Sequence, residues 1–307
     1  MLFPDSVMQT SRFADSPLLG HSAALFTVFV WGVTFISTKI LLEDFHAAEI
    51  LFLRFAMAFV ALYLSAPGRL PGMTPQRRLV LAGAGFSGIC LYYLLENIAL
   101  GYTLASNISV ILCASPMFTA LMARIVLRGE ERLGLFFYAG FFVAMSGICL
   151  ISFSGSTELK LDPLDDLLAI AAALVWAFYA CLTRIMGRWG CNVIQITRCT
   201  FGWGLLFMLP CLFLFEVDWS TERFFKPENV FNLLFLGLCA SAMCFTTWNI
   251  AVRALGTVRT SLYIYLVPVI TVIVAALVLD ERLTVMSASG AVLTLAGLFI
   301  SQMDGRR

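Results

Sequence analysis

The sequence predicts an all-α membrane protein: ten transmembrane helices built as two inverted five-helix repeats. Three observations predict it. Of 307 residues, 60% are hydrophobic and only 13% charged, against about 45–50% and about 25% in soluble domains. A chain this apolar cannot hide its surface from water, so lipid must be its solvent. Ten apolar runs each approach the roughly 20 residues that a helix needs to cross the hydrocarbon. The features of the first five runs return, in order, in the second five.

The runs are 21–42, 48–66, 78–98, 103–125, 134–153, 166–186, 193–215, 230–250, 258–279 and 286–303. They are long and continuous, whereas a membrane barrel alternates apolar and polar over about 10 residues. The first begins at His21 and carries Trp31 and Lys39; the second carries Arg54. The third contains Gly83-Ala84-Gly85-Phe86-Ser87-Gly88 and ends near Glu96 and Asn97. That GxGxxG lacks the strand and βαβ context of a dinucleotide site, and its small residues suit close helix packing instead. The fourth run holds Asn107, Ser109 and Pro116, and the fifth Gly140 and Gly147. The sixth carries Trp176 and Tyr179, the seventh Arg198, the eighth Asn249, the ninth Tyr263, Tyr265 and Pro268, and the tenth Gly290 and Gly297.

The repeat is legible in short stretches. Residues 97–116 (NIALGYTLASNISVILCASP) match 249–268 (NIAVRALGTVRTSLYIYLVP) at an offset of 152. Trp31, Thr38 and Lys39 match Trp176, Thr183 and Arg184 at 145, and Arg54 matches Arg198 at 144. Glu131-Arg132-Leu133, Gly140 and Gly147 match Glu281-Arg282-Leu283, Gly290 and Gly297 at 150. The expected organisation is a tail at 1–20, a first repeat at 21–153, an extracytoplasmic linker at 154–165, a second repeat at 166–303 and a tail at 304–307. Five is odd, so the second copy must enter the membrane from the other side. Inverted repeats with a substrate site near midplane between them are typical of secondary transporters.

Lys and Arg in short loops set orientation. Arg69, Arg77, Arg78, Arg128, Arg132, Arg188 and Arg253 fall in one set of alternate loops; the other is rich in Glu43, Asp44, Asp162, Asp218 and Glu222. Both termini are expected in the cytoplasm, and the residues before His21 lack the pattern of a cleaved signal. Trp189 and Trp219 fall at expected interfaces. The nine cysteines sit mostly in apolar runs with no CxxC pair, as small hydrophobes do, so neither a disulfide framework nor a metal site is expected. The net charge of +1 argues against a nucleic-acid partner. Only His21 and His46 are available as histidines, and HExxH, P-loop and serine-elbow motifs are absent. No enzyme chemistry and no cofactor are expected.

Trp31-Gly32, Phe35, Lys39 and Arg54 resemble the first-helix signature of the EamA family, within the drug/metabolite transporter superfamily. Asn97-Ile98-Ala99-Leu100, Pro116, Glu130-Glu131-Arg132-Leu133, Gly140 and Gly147 resemble its third-to-fifth-helix pattern, repeated through Pro268, Asp280-Glu281-Arg282-Leu283, Gly290 and Gly297. Ala177 departs from it, replacing a Gly, as does the longer loop at Arg128-Gly129-Glu130. The resemblance covers about residues 21–302. It implies ten helices, a bacterial inner-membrane location and export or exchange of small metabolites.

A substrate cavity is expected from Trp31, Asn97, Ser109, Pro116, Trp176, Tyr179, Asn249, Tyr263, Tyr265 and Pro268, on the first, third and fourth helices and their repeats. Aromatics suit apolar or cationic solutes, while the amides and Ser109 suit helix ties or polar contacts. Each proline in mid-helix would deprive the carbonyl four residues before it, Leu112 or Ile264, of its partner. Lys39, Arg54 and Glu96 are candidates for coupling or gating, although each is near enough to a helix end to snorkel. Glu96 interrupts an apolar run and could exchange protons. A membrane enzyme or assembly protein acting on lipid, and an uncoupled uniporter, are the competing classes. The expected partners are a small solute, the bilayer and protons; oligomeric state is left open.

Overall fold

The computed structural model describes residues 16–100, 111–127, 134–153, 163–214, 221–278 and 284–303. Helices α1 (Pro17–Leu41) and α2 (Ala47–Ser65) are regular. Helix α3 runs over Pro75–Gly85, widens to a π turn over Phe86–Leu91 and resumes as Tyr92–Leu100. Then come α4 (Ser115–Val126), α5 (Leu135–Phe153), α6 (Pro163–Gly187) and α7 (Val193–Leu214). A 3-10 turn, Glu222–Phe225, precedes α8, which runs over Pro227–Leu234, a π segment Phe235–Met243 and Cys244–Leu255. Helix α9 is broken into Thr257–Ser261, a 3-10 turn Leu262–Tyr265 and Leu266–Val278, and α10 is Val285–Gln302. Among the described residues, nine helices are long and apolar enough to span a membrane, and α4 is a shorter apolar helix. Leu18, Ile125, Leu135, Leu277, Val292 and Phe299 point outward and exposed, as side chains facing lipid do.

Local signals explain the helix starts. Pro opens α1, α3, α6 and α8, where its missing N–H costs nothing. Thr74 caps α3 by accepting from Arg77 N–H at 3.2 Å. Thr284 and Ser287 cap α10 reciprocally. Gly256, at φ 91°, makes the sharp turn between α8 and α9, a conformation that costs other residues.

The expected mid-helix prolines are corrected by the structure. Pro116 lies in the first turn of α4, after a turn at 113–114, and Pro268 in the first turn of the last α9 segment, after the 3-10 turn. The chain stops being α-helical before each ring instead of bending a continuous helix around it. The Leu112 carbonyl, the one Pro116 cannot serve, accepts from the Ser115 hydroxyl.

The helix pairings exchange between halves. Helix α1 packs on α8 and α9, as α6 packs on α3 and α4; α2 packs on α8, as α7 packs on α3; α2·α7 and α5·α10 pair each helix with its counterpart. The π segments share the register: Tyr92 and Cys244, the first residues after them, are 152 apart, the spacing of Asn97 and Asn249. The Cys244–Leu255 segment of α8 also packs on α6 and α7, and Tyr92–Leu100 of α3 meets α2 where Tyr93 lies against Phe55.

Small residues set the α5·α10 contact. A Cβ on Gly147 would come within 2.5 Å of the Gly290 carbonyl and the Thr294 nitrogen, and Gly140 abuts Ser301 and Gly297 equally tightly. Without a hydrophobic drive between helices in lipid, such backbone approach supplies the packing energy.

The α1–α2 turn is clasped to the start of α8. Arg223 donates to both carboxylate oxygens of Glu49, at 2.9 and 2.8 Å, and the pair is 8% and 4% exposed. Lys226 pairs with Asp44 at 2.6 Å, and Asn229 donates to Asp44 at 2.7 Å. The opposite end uses carbonyls instead: Arg198 donates to Ala66 and Gly68, and Arg184 to Val252 and Arg253.

Gly147→Leu should destabilise the fold by about 1–3 kcal/mol, read as a lower melting temperature in detergent, while Gly83→Ala, which meets only the flexible end of Leu182, should melt near wild type. A second outcome follows from Asp44, whose carboxyl is held below its ordinary value of 3.8 by Lys226 and Asn229. A depressed acid contributes stability that is complete above its unfolded pKa and is lost as pH falls through the folded one. Melting followed from pH 5 downward should therefore fall more steeply below about pH 4 in wild type than in Asp44→Asn; parallel curves would remove the ion pair from the clasp.

Candidate functional site

The site forms where α1, α3, α6 and α8 converge. Trp31, on α1, meets Trp176 of α6 edge-on at 5.7 Å and lies 5.7 Å from Phe245 and 5.1 Å from Trp248 of α8. Trp176 in turn contacts Tyr92 of α3 at 5.1 Å and Tyr179 at 5.2 Å. Tyr92 meets Tyr93 at 4.9 Å, and Tyr93 meets Phe55 of α2 at 5.4 Å. The rings form one continuous aromatic wall, each in the tilted or edge geometry that ring quadrupoles favour. The sequence expectation paired Trp31 with Trp176 through the repeat, and the fold brings them into contact. Gly88 makes room for the neighbouring Tyr179: a Cβ there would collide with its ring.

Local structure aims the polar groups. The indole of Trp31 donates to the Ala240 carbonyl, at 3.1 Å, inside the π segment of α8. A π turn leaves the carbonyl ladder out of register and makes that acceptor available. The indole N–H groups of Trp176 and Trp248 are buried and have no acceptor among the described residues. An indole can only donate, so each calls for an acceptor from water or a solute.

Arg54 does not snorkel. It is 8% exposed, its Nε donates to the Ser241 hydroxyl of the α8 π segment at 2.8 Å, and its guanidinium lies 5.4 Å from the Phe55 ring centre and 5.7 Å from that of Tyr93. Its two terminal nitrogens have no hydrogen-bond partner among the described residues. Glu96, one turn beyond Tyr92, lies within electrostatic reach of Arg54, yet the two form no ion pair. Tyr92, Tyr93 and Glu96 are each half-buried. The repeat partner of Arg54, Arg198, is equally buried but spends its donors on the carbonyls of Ala66 and Gly68.

The remaining expected site residues divide. Asn249 ties α8 to α7 by donating to Thr197 at 2.8 Å. Tyr263 borders the same aromatic cluster and hydrogen-bonds His21 of α1. Tyr265 is fully buried in a separate cluster with Cys113, Ala120 and Cys181, apart from the aromatic wall; its hydroxyl has no partner among the described residues. Pro116 is buried at the start of α4 and Pro268 half-buried in α9. Ser109 and the side chains of Lys39 and Asn97 lie outside the described residues, as do Asn107, Trp219 and the Glu-Arg-Leu repeats.

Sequence reasoning missed Tyr92, Tyr93, Phe245, Trp248 and Ser241. A signal was available for Trp248, which occupies the repeat position of Glu96 at the offset of 152. Arg77, over the Trp189 ring at 5.0 Å, accounts for one expected interfacial aromatic.

The nine cysteines are free thiols. No group of three or more His, Cys, Asp or Glu residues able to hold a metal occurs among the described residues. The arrangement offers binding, through apolar walls with a cation and a carboxylate at one side.

Similarity to known proteins agrees with that character. A family model described as "EamA-like transporter family" matches the chain twice, at 18–153 and 164–303. A transporter of Archaeoglobus fulgidus is 28% identical over 286 residues, covering 92% of this chain and 96% of its own length. A Streptantibioticus cattleyicolor protein named "Probable terminal-alkyne amino-acid exporter" is 28% identical, with 91% of each chain covered. A Salmonella typhimurium "Probable amino-acid metabolite efflux pump" is 26% identical, covering 91% and 93%. One solved crystal structure superposes with a TM-score of 0.77 at 18% identity, covering 96% of this chain and 98% of that one, which shows a shared fold. With its helices apolar, its connections short and the family model matching both halves, the chain is a multi-pass integral membrane protein that belongs to the EamA-like transporter family.

Proposed function

We propose that this protein is a secondary transporter, an exporter or exchanger, that moves a small metabolite, amino acid or drug-like solute across the inner membrane. It works by alternating access between two inverted five-helix repeats, 21–153 and 166–303, joined by an extracytoplasmic linker, with both termini cytoplasmic. No covalent step is involved.

One observation carries the reading. The helix pairings exchange between halves: α1 packs on α8 and α9 as α6 packs on α3 and α4, and α2 packs on α8 as α7 packs on α3. An inverted pair built this way has two equivalent arrangements, and exchanging the packings of the halves converts one into the other. A solute drives the exchange only through its affinity difference between the states. The aromatic wall lies where the solute would be held, and the names of two relatives point to amino acids and their derivatives.

The test is counterflow in proteoliposomes with a panel of amino acids and metabolites, with and without a pH gradient. Expected is saturable uptake of labelled solute driven by the unlabelled solute inside. Absence of flux for every solute, in protein shown to be folded, overturns transport. Flux indifferent to the pH gradient, or a Glu96→Gln variant that keeps its dependence on that gradient, removes Glu96 from proton coupling.

A further inference from the structure

A solute held at the aromatic wall has to leave toward one end of the bundle. Helix α8 packs on α1 and α9, and α6 packs on α3 and α4, so α6 and α8 belong to different groups of helices and meet along a seam. In the middle of the bundle that seam is aromatic. Trp176 lies 6.2 Å from Trp248 and 6.3 Å from Phe245, and Tyr179 lies 6.2 Å from Phe245. Toward the C-termini of both helices the seam changes character. Arg184 of α6 donates to the carbonyls of Val252, at 3.0 Å, and Arg253, at 2.6 Å, in the last turn of α8. Gly187 keeps α6 alongside: a Cβ on it would lie 3.4 Å from the Arg253 Cβ. The last carbonyls of a helix lack intrahelical partners, and a cation is favoured beside them.

We propose that Arg184 is the latch of this mouth, a positioning residue of the transport cycle. It holds α6 on the end of α8 while the wall is shut off from that end, and it releases α8 when the wall opens there. The proposal rests on the transport reading. Two observations favour a latch over a permanent tie. The bonds cross between the group of α6 and the group of α8, so they lie on a seam that has to part. Both partners also sit at a helix end, with Arg184 and Arg253 half-buried, where water can take over the donors and carbonyls as they separate. The Glu49–Arg223 pair differs on both counts. It joins α2 to the start of α8, elements that already pack together, and at 4% and 8% exposure its breaking would strand two charges. The start of α1 lies beside the end of α8, where Gly20 abuts Leu255. Lys39, the repeat match of Arg184 near the other end of α1, therefore falls at the opposite mouth.

Gly187 and Arg253 supply the test, because their Cβ separation is close to the roughly 3.5–4.5 Å that a disulfide spans. The full-length double variant Gly187→Cys/Arg253→Cys is oxidised in proteoliposomes with copper phenanthroline. It is then assayed by counterflow with the panel of amino acids and metabolites used above. Cross-linked protein should lose about tenfold or more of its flux and regain it on reduction. Each single variant, with the nine native cysteines in place, should keep its own flux under the same oxidant. A second readout needs no flux, since the rate of disulfide formation reports how often the seam is shut. Adding Arg184→Gln should slow that rate by about fivefold or more. Arg184→Lys, which keeps a charged donor for the carbonyls, should hold it within about twofold. In the chain without added cysteines, Arg184→Gln should shift the KM of counterflow by about fivefold or more, which serves where the cysteine pair does not fold. Cross-linked protein that transports like its reduced form overturns the latch, as does a disulfide rate or a KM indifferent to Arg184→Gln. Wild type without flux for any solute strikes the transport reading instead, and the disulfide rates still decide whether Arg184 holds the seam.

Discussion

Lipid offers no hydrogen-bond partner to a backbone N–H or carbonyl, and this constraint shapes the protein more than any other. Each unsatisfied group costs several kcal/mol in hydrocarbon. The described chain is accordingly helix joined by short turns, and its departures from regular helix are answered locally. Where Pro116 cannot bond the Leu112 carbonyl, Ser115 does. Where the π segment of α8 disturbs the ladder, Trp31 bonds the Ala240 carbonyl. Where the α2–α3 connection and the end of α8 expose carbonyls, Arg198 and Arg184 meet them. The arginines that sequence reading treated as surface charges or snorkels therefore also act as backbone caps.

The same solvent removes the hydrophobic drive between helices, so proximity has to come from shape. Gly140 and Gly147 on α5 face Gly290, Thr294 and Gly297 on α10 at backbone distance. Near the aromatic wall the glycines do something different: Gly88 admits the Tyr179 ring, and Gly85 lets α3 lie against α7. Backbone approach holds α5 to α10, while rings fill the space among α1, α3, α6 and α8. The ion-paired clasp from Glu49 and Asp44 to Arg223, Lys226 and Asn229 joins α1, α2 and the start of α8 at one end.

Legibility differed by residue. Trp31 and Trp176 were readable because both the repeat offset and residue type marked them, and packing joined them. The glycines on α5 and α10 were readable as a repeated pattern, though their facing one another was not. The prolines were misread because a sequence window shows a ring inside an apolar run but not that the chain has already left the α-helix, at 113 before Pro116 and at 262 before Pro268. The burial of Arg54 was not legible, because distance from a helix end says nothing about Ser241 and Tyr93, which come from α8 and α3. Glu49, hidden in a run that looks like any helix start, gave no sign of its buried partner 174 residues away.

Composition, run length and the repeated spacings by themselves determined that the chain is helical, lives in lipid and carries two related halves. Those properties follow from how much apolar surface each segment has and where polar residues recur along it, and neither requires knowing neighbours. Tertiary structure alone decided which charges are buried and which carbonyls are capped by side chains. Those outcomes depend on contacts between residues far apart in sequence.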